Sequence, residues 1–356
     1  MPVQVMVVDD SAFMRKVISD MLTSHKGFSV IATARNGVEA LEKIKIYKPQ
    51  VITMDVQMPE MDGIATLKQI MLVQPTPVIM FSSLTRQGSQ DTLNALSLGA
   101  VDFIAKPSGF ALPDLSGVKN ELIHKVKMAA RARLVKEDAV VDRGNLSRDL
   151  SAALVPQPKI FSENSKPGET AQKIIAIGSS TGGPKALEQI LTRLPGNLPA
   201  GVIITQHMPE GFTRYLAERM NRLSALSIKE AQQGDIVRTG QVLIAPGGYH
   251  MKLDRNKKIA LSQEPPVQHV RPSVDVMMLS AVKYCSGRDI LGVILTGMGK
   301  DGADGMKAIK TMGGKTVVQD QLTSVIFSMP RAVISQGCAD MVLPLSDIAR
   351  QIIDFC

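Results

Sequence analysis

The chain of 356 residues is long enough for two domains of ordinary size, each with its own core. Its hydrophobic content of 44% and charged content of 21% are typical of a folded globular protein and exclude a largely disordered one. No apolar run approaches the roughly 18 residues of a membrane span, and the start lacks the basic segment of a secretory signal. We therefore expect a cytoplasmic protein that does not insert into a membrane. The cysteines, Cys285, Cys338 and Cys356, form no CxxC pair, which argues against a disulfide framework or a zinc site.

The formal net charge of +8 raises nucleic acid as a possible partner. Half of that charge lies within residues 119–173, where the bases are interleaved with acids and aromatic residues are scarce. This pattern favours a solvated linker, and no helix-turn-helix or basic groove-entering helix follows residue 171. We expect no nucleic-acid partner, although salt-dependent binding to duplex DNA would revive that alternative.

Strand-like and helix-like segments alternate in the first part of the chain. The strand-like runs are VQVMVVD, QVITMD, TPVIMFSS and AVDFIAKP. Between the first two, GVEALEKIKIY has helical spacing that places Val38, Leu41 and Ile44 on one face. A stripe from Leu115 to Ala129 predicts a last helix that ends near residue 130. This alternation predicts a doubly wound parallel sheet.

Residues from about 136 to 171 lose this periodicity and are rich in Pro, Ser, Asn, Asp and Gly, which indicates a linker. The α/β alternation then resumes with KIIAIG, GVIITQ, ILGVILTG and KTVVQD. The runs QVLIAPGGYHMKL and KKIALSQ predict a β-hairpin arm. We therefore predict two doubly wound α/β domains, at residues 1–122 and 171–356, with a linker at 123–170.

Chemically distinct side chains stand at the ends of four predicted strands in the first domain. They are Asp9 with Asp10, Asp55, Ser82 and Lys106. Ligands bind at the carboxyl ends of the strands in an open parallel sheet, so these groups could converge on one crevice. Clustered carboxylates suit an oxygen-preferring cation such as Mg²⁺, which also neutralises a phosphoryl group. Taken alone, Asp9 and Asp10 favour capping of the next helix over a metal site.

This set, with DVQMPEMDG and the tripeptide AKP, resembles the bacterial response-regulator receiver family, which has a flavodoxin-like fold, over about residues 1–122. The resemblance implies that Asp55 accepts a phosphoryl group from a histidine kinase. Asp10 and Asp55 would bind Mg²⁺ directly, Asp9 would bind it through water, and Gln57 would offer its backbone carbonyl where relatives often have Glu or Asn. The resemblance also implies that Ser82 is the switch hydroxyl and Phe103 the aromatic rotamer switch. Lys106 would be the phosphate-binding lysine, and a cis peptide bond would join it to Pro107.

In the second domain, IGSSTGG contains a G-x-S-x-G pattern directly after an apolar run. Such a pattern is typical of a nucleophile elbow, in which a sharp strand-to-helix turn exposes a serine hydroxyl. A glycine-rich phosphate cradle is an alternative reading of the same residues, although the lysine of a P-loop is absent. The nucleophile is ambiguous by one position between Ser179 and Ser180, but only Ser180 has glycine on both sides at the required spacing.

Two further strand ends supply the partners that a serine nucleophile needs. His207 follows GVIITQ, and Asp301 lies in the loop after ILGVILTG. A nucleophile, a base and an orienting acid on one rim of a sheet are the three parts of a catalytic triad. The order Ser–His–Asp differs from the Ser–Asp–His order of α/β-hydrolases. A domain that keeps the hydrolase fold without its activity is disfavoured, because all three residue types are present.

The segments IGSSTGG, TQHMPEGFT and ILTGMGKDG resemble the chemotaxis protein-glutamate methylesterases, with a Rossmann-like fold, over about residues 171–356. Only Ser179 departs from the family pattern, where alanine is frequent. The resemblance implies hydrolysis of γ-glutamyl methyl esters, and deamidation of glutamines, on cytoplasmic helices of chemoreceptors, with no cofactor for the esterase. The pairing of the two domains, with a linker long enough to let one pack on the other, suggests that the receiver covers the active site until Asp55 is phosphorylated. The N–H groups near Thr181 and Met298 are candidate oxyanion donors, although Met298 is equally compatible with a core position.

Overall fold

A computed structural model describes residues 1–83, 85–106, 115–132 and 168–356. It contains two parallel sheets, one on each side of the predicted linker. Residues 133–167 of that linker, and Pro107 with its predicted cis bond, lie outside the described residues.

The first sheet has five parallel strands in the order β2-β1-β3-β4-β5, the arrangement of a doubly wound fold. The strands are almost continuously apolar because helices cover both faces of the sheet. Their bounds are β1 Val3–Val8, β2 Phe28–Ala34, β3 Val51–Asp55, β4 Val78–Ser82 and β5 Asp102–Ala105.

Five helices flank this sheet, and polar residues at their starts explain where the first four begin. Ser11, Asn36, Asp62 and Thr85 each accept a hydrogen bond from a backbone N–H of the helix that follows. The bounds are α1 Ala12–Thr23, α2 Gly37–Tyr47, α3 Gly63–Val73, α4 Arg86–Ser97 and α5 Leu115–Ala129. The predicted boundary at residue 122 falls within α5, and Val126 and Ala129 are buried in the core of the first domain. The domain therefore extends to the end of this helix, because the apolar stripe continues to pack on the sheet.

The second sheet has seven parallel strands in the order β14-β13-β12-β6-β7-β9-β8. A separate hairpin pairs β10 with β11 in antiparallel fashion. The prediction of a hairpin arm is therefore correct for the second half of QVLIAPGGYHMKL, but Gln241–Ile244 is a strand of the main sheet. The bounds are β6 Lys173–Ser179, β7 Ala200–Gln206, β8 Ser227–Glu230, β9 Gln241–Ile244, β10 His250–Leu253, β11 Ile259–Ser262, β12 Ile290–Ile294, β13 Lys315–Gln319 and β14 Met341–Leu343.

Six α-helices and one 3₁₀ turn, Gly287–Asp289, complete the second domain as it is described. The helices are α6 Gly183–Leu191, α7 Phe212–Leu223, α8 Val274–Tyr284, α9 Ala303–Thr311, α10 Ser328–Ser335 and α11 Leu345–Phe355. Helix α4 of the first domain packs against α6 and α7 of the second. None of the helices in the described ranges combines the length and the apolar character that crossing a membrane requires.

Candidate phosphorylation and active sites

The predicted acidic cluster of the first domain is assembled at the carboxyl ends of β1 and β3. One carboxylate oxygen each of Asp9, Asp10 and Asp55 lies within 4.8 Å of the other two. Asp9 and Asp55 are buried, whereas Asp10 is exposed. Three carboxylates at this spacing repel one another unless a cation lies between them, and hard oxygen ligands suit Mg²⁺. The donor set therefore fits the predicted metal.

A pocket of about 220 Å³ opens beside this cluster and is lined by Asp10, Asp55, Val56, Gln57, Ser82, Ser83, Gly88 and Lys106. Lys106 reaches into it from the end of β5, with its Nζ 2.7 Å from Asp55 Oδ2 and 3.3 Å from Asp9 Oδ2. Burial raises the pKa of Asp55 despite its contact with Lys106. Burial alone would lower the pKa of Lys106, but the two carboxylates outweigh it and raise the pKa. Lys106 is therefore a fixed positive charge where a phosphoryl group on Asp55 would lie.

The two predicted switch residues contact groups other than the carboxylates. The Ser82 hydroxyl donates a hydrogen bond of 2.9 Å to the backbone oxygen of Gly88 in α4. The Phe103 ring is buried and packs on Phe212, the first residue of α7, with 4.5 Å between the ring centroids. The aromatic residue thus links the first domain to the second.

The G-x-S-x-G segment forms a sharp turn between β6 and α6. The strand ends at Ser179, Ser180 follows, and α6 begins at Gly183. Gly182 has a φ of +79°, which side-chain-bearing residues rarely adopt, and a Cβ on Gly178 would lie 2.4 Å from Val274 Cγ1. Both glycines are therefore required by the turn and its packing.

The structure distinguishes the two adjacent serines. Ser179 is fully buried, and its hydroxyl donates a hydrogen bond of 2.6 Å to Gln206 Oε1. Ser180 is half-buried, and its hydroxyl has no hydrogen-bond partner among the described residues. Ser180 is therefore the better candidate nucleophile.

Three neighbouring strands, β12, β6 and β7, bring the predicted triad residues to one rim of the sheet. Ser179 is paired with Gln206 in the ladder, so the next residues along each strand, Ser180 and His207, are neighbours. His207 N donates to Ser179 O over 3.0 Å, and the Gln206 side chain donates to the backbone oxygens of Ser180 and His207. Asp301 lies in the loop that follows β12 on the other side of β6.

The imidazole of His207 contacts the carboxylate of Asp301, with 2.8 Å between Nε2 and Oδ2. An ionised carboxylate only accepts hydrogen bonds, so Nε2 carries the proton and Nδ1 offers a lone pair. Within the described residues no hydrogen bond joins His207 to Ser180. Such bonds are often long before substrate binds, and the register places Ser180 and His207 at neighbouring strand ends. The site therefore pairs an imidazole with a carboxylate on the rim that also holds Ser180.

Asp301 is anchored mainly by the start of α8. Its carboxylate accepts hydrogen bonds from Val274 N (2.7 Å), Ser273 Oγ (2.8 Å) and Asp275 N (3.0 Å), in addition to the one from His207. Burial acts to raise the pKa of Asp301, but these bonds and the imidazole lower it overall. Burial and the neighbouring Asp301 raise the pKa of Asp275 to about 7. Asp301 is therefore the charged member of this carboxyl pair.

Thr181, one candidate oxyanion donor, directly follows Ser180, and Met298, the other, lies in the loop after β12. Neither Thr181 N–H nor Met298 N–H has an acceptor among the described residues, and Met298 is only half-buried. The hydroxyl of Thr181 donates to the carboxylate of Asp102, at the start of β5 in the first domain. The first domain thus contacts the residue next to Ser180.

Sequence reasoning did not identify Asp102, Gln206, Ser273 or Asp275. The segment SVD before an apolar helix is a recognisable helix start, but it gives no indication that its donors would face Asp301. Gln206 precedes His207 directly, and this position at a strand end was the only available signal. Asp102 acts across a domain interface, for which the local sequence carries no signal.

The fold and the two sites define the class of protein: a response-regulator receiver domain joined to a hydrolase domain that is built on a parallel sheet. Two family models match, "CheB methylesterase" at residues 175–352 and "Response regulator receiver domain" at residues 5–114.

Relatives named protein-glutamate methylesterase/protein-glutamine glutaminase match nearly the whole chain. One in Symbiobacterium thermophilum is 49% identical and covers 99% of this chain and 96% of its own, and one in Archaeoglobus fulgidus is 48% identical, covering 99% and 97%. The crystal structure of the Thermotoga maritima CheB methylesterase catalytic domain is 43% identical, with a TM-score of 0.51, and the match covers 52% of this chain and 100% of that one. The chain belongs to the CheB methylesterase family.

Proposed function

We propose that this chain is a phosphorylation-activated esterase that hydrolyses γ-glutamyl methyl esters on the cytoplasmic helices of chemoreceptors. We propose further that it deamidates particular glutamines of the same receptors. The observation that carries the proposal is the contact of 2.8 Å between His207 and Asp301 on the rim that also holds Ser180. The names of the full-length relatives support the choice of a protein glutamyl ester as substrate.

In the proposed reaction, Ser180 Oγ attacks the ester carbonyl while His207 Nδ1 takes its proton. Asp301 holds the imidazole by its Nε2–H and stabilises the positive charge that forms. The N–H groups of Thr181 and Met298 donate to the developing oxyanion. His207 then protonates the leaving methoxide, and methanol departs. Water cleaves the acyl-enzyme with the same base, which restores glutamate and the Ser180 hydroxyl.

For regulation, we propose that Asp55 accepts a phosphoryl group from a chemotaxis histidine kinase with Mg²⁺ bound. Asp10, Asp55 and the Gln57 carbonyl would hold the cation, with Asp9 acting through water. The cation would neutralise charge on the phosphoryl group. Lys106 would hold a phosphate oxygen from the other side of the pocket.

The unphosphorylated receiver would restrain the active site through its contacts with Thr181 and Phe212. Ser82 donates to Gly88 in α4, the helix that packs on the second domain. If phosphorylation draws the Ser82 hydroxyl toward Asp55, its hydrogen bond to Gly88 in α4 is lost. The packing of Phe103 on Phe212 would then weaken. The receiver would then move away from the turn that holds Ser180.

The proposal is tested with chemoreceptor membranes that carry radiolabelled methyl groups. The purified chain should release labelled methanol, and a small phosphodonor with Mg²⁺ should accelerate the release. His207→Gln should reduce release to near background, since no general base remains. Absence of release from the wild-type chain, with or without phosphodonor, would refute the proposed activity.

A further inference from the structure

Three of the four hydrogen bonds to the Asp301 carboxylate come from the first residues of α8. The position of α8 therefore decides where the carboxylate points, and through it where Nε2 of His207 lies. Ser273 has two roles in this contact, because its hydroxyl donates to Asp301 Oδ1 (2.8 Å) and accepts from Val276 N as the helix cap.

A buried histidine of the hairpin arm contacts the backbone of Ser273. His250, the first residue of β10, is 0% exposed, and its Nδ1 accepts a hydrogen bond of 3.2 Å from Ser273 N. A nitrogen that accepts this bond has no proton, so Nε2 carries the proton and donates to Pro265 O over 3.2 Å. His250 is thus a neutral imidazole with both nitrogens used.

These bonds form a continuous chain from the arm to the base: Pro265 O, His250, Ser273, Asp301 and His207. An apolar residue in place of His250 would leave the Ser273 N–H buried without an acceptor beside the triad acid. Such a group costs stability unless it moves, and any movement of Ser273 displaces its hydroxyl from Asp301.

We propose that His250 is a positioning residue for the hydrolysis: through Ser273 it fixes the orientation of Asp301 and hence of His207. The proposal rests on the proposed esterase activity for its kinetic consequence. The role requires an acceptor at the position of Nδ1, which asparagine can supply and leucine cannot.

The test compares His250→Asn with His250→Leu in the full chain, with phosphodonor present, on methylated receptors. We expect His250→Asn to keep kcat within about threefold, and His250→Leu to lose about tenfold or more in kcat with little change in KM. Ser273→Ala should repeat the loss, and Ser273→Thr should restore most of it. Asn36→Ala, which removes the cap of α2 in the first domain, is the matched control and should leave kcat unchanged.

A readout independent of ester hydrolysis separates this proposal from the proposed function. NMR titration of the His207 ring should show the same midpoint in His250→Asn as in wild type, and a midpoint moved by about half a pH unit or more in His250→Leu. If His250→Leu does not fold, His250→Ala, which also lacks an acceptor at the position of Nδ1, replaces it in both measurements. Unchanged kcat and His207 titration in a folded His250→Leu chain, or an equal loss in His250→Asn, overturns the proposal. Absent hydrolysis in wild type with the expected titration shifts overturns only the proposed function.

Discussion

The hydrogen bond between Asp102 and Thr181 is the most specific link between the receiver and the active site. Asp102→Ala removes this bond. It also removes the contact of 3.3 Å between Asp102 Oδ1 and Lys125 Nζ, but Lys125 stays paired with Glu121, whose Oε1 lies 2.7 Å from Nζ. A hydrogen bond to a charged group contributes about 1.5–3 kcal/mol. Its loss should therefore raise the fraction of molecules with the receiver displaced by roughly tenfold to a hundredfold.

The assay is methanol release by the unphosphorylated chain, because the proposed restraint acts only in this state. Asp102→Ala should raise that rate by about tenfold or more and leave the phosphorylated rate unchanged. Glu121→Gln is the matched control, since Glu121 contacts the same lysine but does not reach the second domain. An unchanged basal rate in Asp102→Ala, or an equal rise in Glu121→Gln, would refute this account of the restraint.

Three further predictions concern the carboxylates. Asp55→Ala should abolish stimulation by a phosphodonor and Mg²⁺, measured as the ratio of methanol release with and without them, while the unstimulated rate persists. Asp301→Asn should lower kcat by about 10⁴ because His207 loses the acceptor that fixes its tautomer, and a loss below tenfold would contradict this role. The pKa of Asp275 is raised from 3.8 to about 7 in the folded chain. Between these values only the unfolded chain releases the proton, so the free energy of unfolding should fall with rising pH, by up to about 4 kcal/mol. Asp275→Asn should flatten this fall in urea unfolding at pH 5 and 8, and an identical slope in both chains would contradict it.

The sequence was sufficient to predict the two parallel sheets and the residues at their strand ends. Asp55 and Lys106 meet, as do His207 and Asp301, because polar residues that follow buried parallel strands all emerge at one edge. This rule needs only the pattern of apolar runs and the residue after each run. The rule holds for parallel strands in any order, because their carboxyl ends all lie at the same edge of the sheet.

Features that depend on packing between distant segments were not predictable in this way. The helical spacing placed Val38 on one face with Leu41 and Ile44. Ile44 is buried as expected, but Val38 is exposed, because the packed face of α2 includes Ala40 instead of Val38. Strand β9 joins the main sheet through pairing with β7, which the turn-flanked run did not reveal. The buried Ser179 hydroxyl, which singles out Ser180, depends on the partner strand supplying Gln206.

The central claim is that Ser180 is the nucleophile of a glutamyl methyl esterase. Its most direct test is the rate of methanol release from methylated receptors by the phosphorylated chain, compared between Ser180→Ala and Ser179→Ala. We predict that Ser180→Ala loses roughly six orders of magnitude or falls to background. Ser179→Ala should keep activity within about tenfold, because among the described residues the Ser179 hydroxyl bonds Gln206 alone. Release by Ser180→Ala at a rate near that of the wild type would contradict the claim.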